Sequence, residues 1–505
     1  MVRLTDSIKY DINTILDVIL AFKSETGHDR LLHTILAKMM EITNSDAGTL
    51  YIVEDNKLHF RIVKNSTLGI TKTTKDQINL PPVELDKENC VHASAYCAIH
   101  NEIIIVDDVY ENKRFNFSGA KKYDRITGYR SKSMLALPLF SYWNQNPQLL
   151  GVIQLINATD PRTGVVVEYG DVFDPPIVPA FANIAANSLS NLIHIKEIND
   201  VFQSFVTAMA RAIDERSVYN SNHTQNVARL VGLFGRHLTD SYPPGHRFHF
   251  EPKRLDELVM AATLHDIGKI VTPISIMDKA DKLGDRLPAI RSRVELRKLQ
   301  LEIEWLRGEI AEGAYRAALA KLVADAEFVE GAAAPRPLQD GDLERIEGLK
   351  CHTYRNSAGS VAPIFDDGDM ECLSIPRGTL TAAERKIMEE HVSVTGRLLD
   401  SVAFSKYSEI VPKIAKSHHE FLDGSGYPNG LRGGQISTES CIVTIADIFE
   451  ALTAMDRPYK SGMPPGAALG ILDSMANEGK LHKELVGLFA QSGVWLGASA
   501  KGDLQ

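Results

Sequence analysis

The chain reads as a multidomain protein with an N-terminal α/β unit and a C-terminal unit built almost wholly of helix. Two observations predict this division. Short β-type runs alternate with helical patterns only up to about residue 185, and from about residue 205 apolar residues recur at helical spacing. A third is length, since 505 residues exceed what one hydrophobic core supports. Composition, at 44% hydrophobic and 24% charged residues, is that of a folded globular chain. A net charge of -10 argues against binding to nucleic acid polymers or acidic lipid and leaves only a local cationic pocket for an anionic ligand. No stretch has the length needed to cross a bilayer, and the five cysteines form no CxxC pair, so no membrane insertion and a cytoplasmic setting are expected.

In the N-terminal unit, residues 12–42 read as helix, and 49–53, 58–63, 103–106, 134–139 and 151–156 read as strands. A helix from Pro179 into the 190s closes it. Two stretches stand out: Thr127-Gly128-Tyr129-Arg130-Ser131, and Gly151-Val152-Ile153-Gln154-Leu155-Ile156-Asn157. With the strand order they make residues 1–187 resemble a GAF domain, a small sensor module. That implies an antiparallel sheet with flanking helices. Both stretches are most similar to the cyclic-nucleotide-binding members, but Ala158 stands where those members carry a lysine. The identity of a ligand therefore stays open, as does a unit that dimerises without one.

Residues 188–210 form the expected helical linker. Leu189, Leu192, Ile195, Ile198, Phe202 and Phe205 recur at helical spacing without an intervening Gly or Pro. Such a stripe serves either a domain core or a two-stranded seam, and the seam, hence a homodimer, is the favoured reading.

The chemistry is expected in residues 211–505. In Leu264-His265-Asp266-Ile267-Gly268-Lys269 a histidine and an aspartate adjoin in a segment that otherwise reads as buried helix, with Asp266 on the face of Val259, Ala262 and Ile270. An unpaired carboxylate there costs several kcal/mol, so it requires a cation or a metal. Lys269, three residues after Asp266, brings positive charge to the same surface, as an anionic substrate needs. His223 lies on the face of Val227, Leu230, Val231 and Phe234, and His391 on another amphipathic helix. Either alone reads as a core histidine. His418 and His419, adjacent on a helix, point about 100° apart and suit neighbouring metal ions. Asp447 shares a buried face with Val443, Ala451 and Ala454. Together, five histidines and two carboxylates on apolar faces describe a metal cluster. Seven N and O donors without a thiolate exceed the need of one ion and suit two, with Asp266 bridging, and fit iron or manganese better than structural zinc.

These residues, with His418-His419-Glu420 and Asp423-Gly424-Ser425-Gly426-Tyr427-Pro428, are similar to the HD-GYP subgroup of HD-domain phosphohydrolases, which hydrolyse cyclic di-GMP. The resemblance covers about 205–283 and 378–485. It implies metal ligands His223, His265, Asp266, His391, His418, His419 and Asp447. It also implies a substrate loop of Gly426, Tyr427 and Pro428, and basic substrate contacts Arg457 and Lys460. Tyr219 stands where some members carry a glutamate that holds a third ion, so two divalent metals are expected, iron or manganese. Residues of about 284–377 interrupt the family pattern as an insertion. Within it Leu296, Leu299, Ile303, Leu306 and Ile310 have heptad spacing and predict a hairpin seam with the helix over 315–329. A spacer, a dimer contact and a lid all remain open for it.

The implied activity is metal-dependent hydrolysis of cyclic di-GMP to pGpG and/or GMP under control of the GAF unit, with Asp266 bridging the cations and Lys269 neutralising charge at the phosphoryl oxygens. Two alternatives stand beside it. One is hydrolysis of another cyclic dinucleotide. The other is a low-turnover receptor that binds cyclic di-GMP or a partner such as a diguanylate cyclase.

Overall fold

The computed structural model describes residues 12–25, 27–73, 80–86, 88–143, 146–172, 176–217, 222–401, 408–454 and 462–498. It comprises two compact units, Met1–Val201 and Phe202–Gln505. In the first, β1 (Ser45–Glu54), β2 (Lys57–Asn65), β3 (Ile70–Lys72), β4 (Val83–Glu84), β5 (Ile104–Val106), β6 (Met134–Trp143) and β7 (Asn146–Ala158) form one sheet. Its order is β3-β2-β1-β7-β6-β5, with β4 on β2, and every pairing is antiparallel. Alternation along the strands gives the sheet two buried faces. Leu50, Leu137 and Ile153 meet the helices on one face, while Tyr51, Ala136 and Val152 join Cys97 and Phe115 on the other. This is the α/β architecture that the resemblance implies. The single helix expected over 12–42 is two, Ile12–Ser24 and His28–Ile42, because Gly27 adopts an extended backbone (φ -103°, ψ 133°) at the start of the second.

The two stretches that carry the GAF resemblance bind each other. Asn157, in a left-handed conformation (φ 58°), donates through Nδ2 to the Arg130 carbonyl at 2.7 Å, and its Oδ1 accepts from the Lys132 amide at 2.7 Å. Ala158 is fully buried in the core on the helical side of the sheet.

The second unit is helical around a core that includes Leu230, Phe234, Leu258, Ile445 and Phe489. The inserted segment begins with a hairpin of helices Arg286–Leu306 and Glu312–Ala333. Next come helix Asp342–Gly348, the two-stranded sheet Thr353–Arg355 and Val361–Pro363, and helix Asp367–Leu373. The expected seam is corrected here: Leu296, Leu299, Ile303 and Leu306 are exposed and of its five residues only Ile310 packs on this core, while Ile290, Val294 and Leu301 pack against Leu322 and Val329. The first helix carries two apolar stripes. Charge selects between them, since Arg293 on the packed side is held at 2.9 Å by the fully buried carboxylate of Asp369. The inserted segment is closed at its base by Lys279, whose ammonium lies 2.8 Å from Glu384. No helix among the described residues is long and apolar enough to cross a membrane.

Candidate metal centre

Separate helical elements bring the seven candidate ligands together. His223 opens helix His223–Ser241, His391 lies within Ala382–Ser401, and Asp447 lies within Thr438–Thr453. His265 and Asp266 do not sit in a continuous helix as expected. The α-helix Pro252–Leu264 ends before them, Asp266 takes φ -103° and ψ 8°, and a tighter 3-10 turn, Ile267–Val271, follows. Ile270 is consequently exposed rather than interior. His418 and His419 likewise fall in turns after helix Ile410–Ala415, with ring centroids 4.1 Å apart.

The two oxygens of Asp266 face different partners. Oδ2 lies 3.4 Å from His223 Nε2 and 3.1 Å from His265 Nε2, and Oδ1 lies 3.2 Å from His391 Nε2 and 3.9 Å from His418 Nε2. Asp447 Oδ1 is 3.2 Å from His223 Nε2, and its Oδ2 is 3.8 Å from His419 Nδ1. The donors thus fall into overlapping groups that could each hold an ion: His223, His265 and Asp447; His391, His418 and His419; and His265, Asp266 and His418.

Four of the five imidazoles, those of His223, His265, His391 and His418, are oriented from behind. His265 Nδ1 lies 2.7 Å from the Ala262 carbonyl, His418 Nδ1 2.7 Å from Ala415, and His391 Nδ1 2.5 Å from Met388. His223 Nδ1 lies 2.5 Å from the Glu450 carboxylate, which Asn226 also holds at 3.0 Å. With Nδ1–H donating outward, the Nε2 lone pairs point inward. His265 Nε2, Asp266 Oδ1, His391 Nε2 and His418 Nε2 are buried without a hydrogen-bond partner among the described residues. Each such atom costs roughly 1–3 kcal/mol if left so, and shared cations would satisfy all four. The residues present therefore fit a metal.

Burial pushes His418 well below the usual imidazole range, and it lowers His419 to about 4, so both are neutral donors. Burial opposes ionisation of Asp266 and Asp447, yet His265 and Lys269 hold the first, and His223 the second, well below the carboxylate range. Burial would lower His223 and His265, but the carboxylates around them raise both, His223 well above its ordinary value, so a bound cation would displace a proton from each ring. Lys269 Nζ sits 2.6 Å from Asp266 Oδ2, and that carboxylate outweighs the effect of burial and keeps the amine charged.

Of the expected substrate loop, Tyr427 lies beside the ligands, its ring 4.8 Å from that of His419. Gly426 is fixed by packing, since an added Cβ would fall 2.5 Å from the His419 carbonyl oxygen. Glu420 pins the loop by accepting from the Asn429 and Leu431 amides at 2.7 and 2.9 Å, and Pro428 is exposed. Tyr219, Arg457 and Lys460 lie outside the described residues. Two residues that support the site, Glu450 and Thr395, were not singled out by the sequence. Thr395 Oγ1 donates to the His265 carbonyl at 3.1 Å and accepts from the Gly268 amide at 3.0 Å. Glu450 carried the same signal as Asp447, a carboxylate in a buried apolar run.

The first unit holds a separate cavity of about 340 Å³, lined by aromatic residues such as Tyr51, Phe60, Phe117 and Tyr129 together with Gln154 and Asn65.

Comparison with known proteins gives a GAF-domain match over residues 28–187 and HD-domain matches over 220–334 and 370–485. The 3′3′-cGAMP-specific phosphodiesterase 3 of Vibrio cholerae serotype O1 is 41% identical over 357 residues, 67% of this chain and 54% of that protein. A probable cyclic di-GMP phosphodiesterase of the same organism is 32% identical over 484 residues, 85% of this chain and 87% of that protein. A cyclic di-GMP phosphodiesterase of Thermotoga maritima is 36% identical over 124 residues, 24% of this chain and 33% of that protein. This chain spans about half the length of the first of these relatives and about a third of the last.

Proposed function

Because the chain belongs to the GAF-linked, HD-GYP-type family of HD-domain proteins, we propose that it is a metal-dependent phosphodiesterase opening cyclic di-GMP to pGpG and/or GMP. The observation that carries the reading is the convergence of five imidazoles and two carboxylates, four of which (His265, Asp266, His391 and His418) carry a buried, otherwise unsatisfied ligand atom. His223, His265, His391, His418, His419, Asp266 and Asp447 would hold two divalent cations, iron or manganese. When bound, such ions supply an acidified water and charge neutralisation at phosphate.

The remaining steps belong to this chain's residues. Glu450 behind His223 and the backbone carbonyls behind His265, His391 and His418 hold these four imidazoles in the tautomer that leaves Nε2 free. Lys269, charged and anchored on Asp266, sets a fixed cation where negative charge grows on the phosphoryl oxygens. Tyr427 walls the site beside His419 and offers a ring face to a base. The first unit acts as the regulator, with its aromatic cavity as the ligand site. Shifts in melting temperature across a nucleotide panel would identify that ligand, and no shift with any nucleotide would remove this part of the reading. A seam of exposed residues on helix Ile177–Asp214 supports a homodimer.

The relative named for 3′3′-cGAMP, at 41% identity, favours a second reading with that mixed dinucleotide as substrate. Hydrolysis of cyclic di-GMP and of 3′3′-cGAMP by protein purified without oxygen separates the two. Faster turnover of cyclic di-GMP is the expected result. Preference for 3′3′-cGAMP would install the second reading, and turnover of neither would remove both.

A further inference from the structure

Helix Ile177–Asp214 begins with residues of the first unit's core and ends with residues of the second's, and the side chains at and just beyond its C-terminus grip the surroundings of the metal centre. Asp214, buried, accepts from the Thr224 hydroxyl at 2.7 Å and from the Thr224 amide at 3.3 Å, next to His223. Two residues later the Arg216 guanidinium donates to the carbonyls of Lys269 at 2.8 Å, of Thr272 at 3.3 Å, and of Ile270. These carbonyls belong to the 3-10 turn Ile267–Val271 and the residue after it. The Lys269 carbonyl also accepts from the Thr272 amide at 3.0 Å, and carbonyls at the end of a helical turn carry partial negative charge. Guanidinium is the side-chain group whose planar fork holds several of them at once, where an ammonium offers only a point charge.

The turn is therefore held from two sides. Its metal-ligating half is clamped to helix Ala382–Ser401 through Thr395, and Gly268 approaches that helix so closely that a Cβ would lie 2.0 Å from the His391 carbonyl oxygen. Its other half, which carries Lys269, hangs from Arg216.

We propose that Arg216 is a positioning residue that sets Lys269 against the substrate phosphate. It also passes displacement of the end of helix Ile177–Asp214 to that lysine, while Thr395 keeps the metal ligands in place. The proposal rests on the reading of Lys269 as a phosphate-facing group.

The test uses the full-length, metal-loaded protein. Arg216→Ala is expected to lower kcat by about tenfold or more, as misplacement of a catalytic group does, with KM and metal content unchanged and faster amide exchange at 270–272. Added guanidinium ion is expected to restore part of the lost rate. Should the alanine variant not fold, Arg216→Lys, which keeps the charge without the fork, carries the same kcat, KM, metal and exchange readouts. Wild-type kcat, loss of metal together with rate, or a rate that guanidinium leaves unimproved overturns the positioning role. Transmission is read by inserting one alanine after Glu197, which turns the helix beyond it by about 100°. Exchange at 270–272 is expected to change on insertion in the wild type and not in Arg216→Ala. An equal change in both, or none in the wild type, overturns transmission. Amide exchange needs no turnover, so failure of cyclic dinucleotides as substrates would refute the proposed function and still leave the clasp testable.

Discussion

At His223, Nδ1 meets Glu450 at 2.5 Å while Nε2 is left to face Asp266 and Asp447. A carboxylate behind an imidazole fixes its tautomer and raises its basicity, and loss of such a partner typically weakens metal binding by about tenfold to a hundredfold. Glu450→Gln is expected to lower metal affinity in that range, measured by competition with a chelator, with the fold unchanged by circular dichroism. Unaltered affinity would show that Glu450 does not act through His223. Residues of this kind were legible in the sequence to the extent that burial could be read from helical spacing. A polar side chain on an apolar face marked Asp447, whereas His223 alone read as a core histidine and stood out only jointly with the other ligands. That pattern did not reveal the backs of the rings, because the Nδ1 contacts of His265, His391 and His418 go to carbonyls of their own chain three residues earlier, which every sequence possesses.

Among the elements, helix Ile177–Asp214 divides one apolar stripe between three environments. Leu189 is in the first unit's core, Phe202 packs on the second unit's core, and Ile195, Ile198 and Phe205 are exposed. Covering a large apolar side chain contributes roughly 1.5–3 kcal/mol, so a matched seam of these residues in two copies would hold a dimer. The wild type is expected to sediment as the proposed dimer and Ile198→Asp combined with Phe205→Asp as a monomer, and a sedimentation coefficient equal in the two would contradict the seam. The inserted helix Arg286–Leu306 shows where spacing alone misleads. Its exposed stripe of Leu296, Leu299, Ile303 and Leu306 has the cleaner heptad, while the packed stripe is decided by the hold of Asp369 on Arg293, a partner about seventy residues away in sequence. The helix breaks at Gly27 and Asp266 were missed for a related reason. Helical periodicity continues through both points, and the change is in backbone torsion, which hydrophobic spacing does not encode.

For the whole molecule, the division into an α/β unit and a helical unit was readable because the apolar period changes from two to near four within one chain. The antiparallel sheet depends on long-range pairing and only the resemblance reached it, while the joining of Asn157 to the loop at 130–132 was not expected. The central claim is that seven side chains from separate elements hold catalytic cations. Metal analysis and cyclic dinucleotide hydrolysis, measured together on anaerobically purified wild type and Asp266→Ala, test it most directly. The wild type is expected to carry about two iron or manganese ions per chain and to turn the substrate over to a linear product, and the variant to lose both metal and turnover. A variant that hydrolyses the substrate without bound metal, or a wild type that is active yet metal-free, would contradict it.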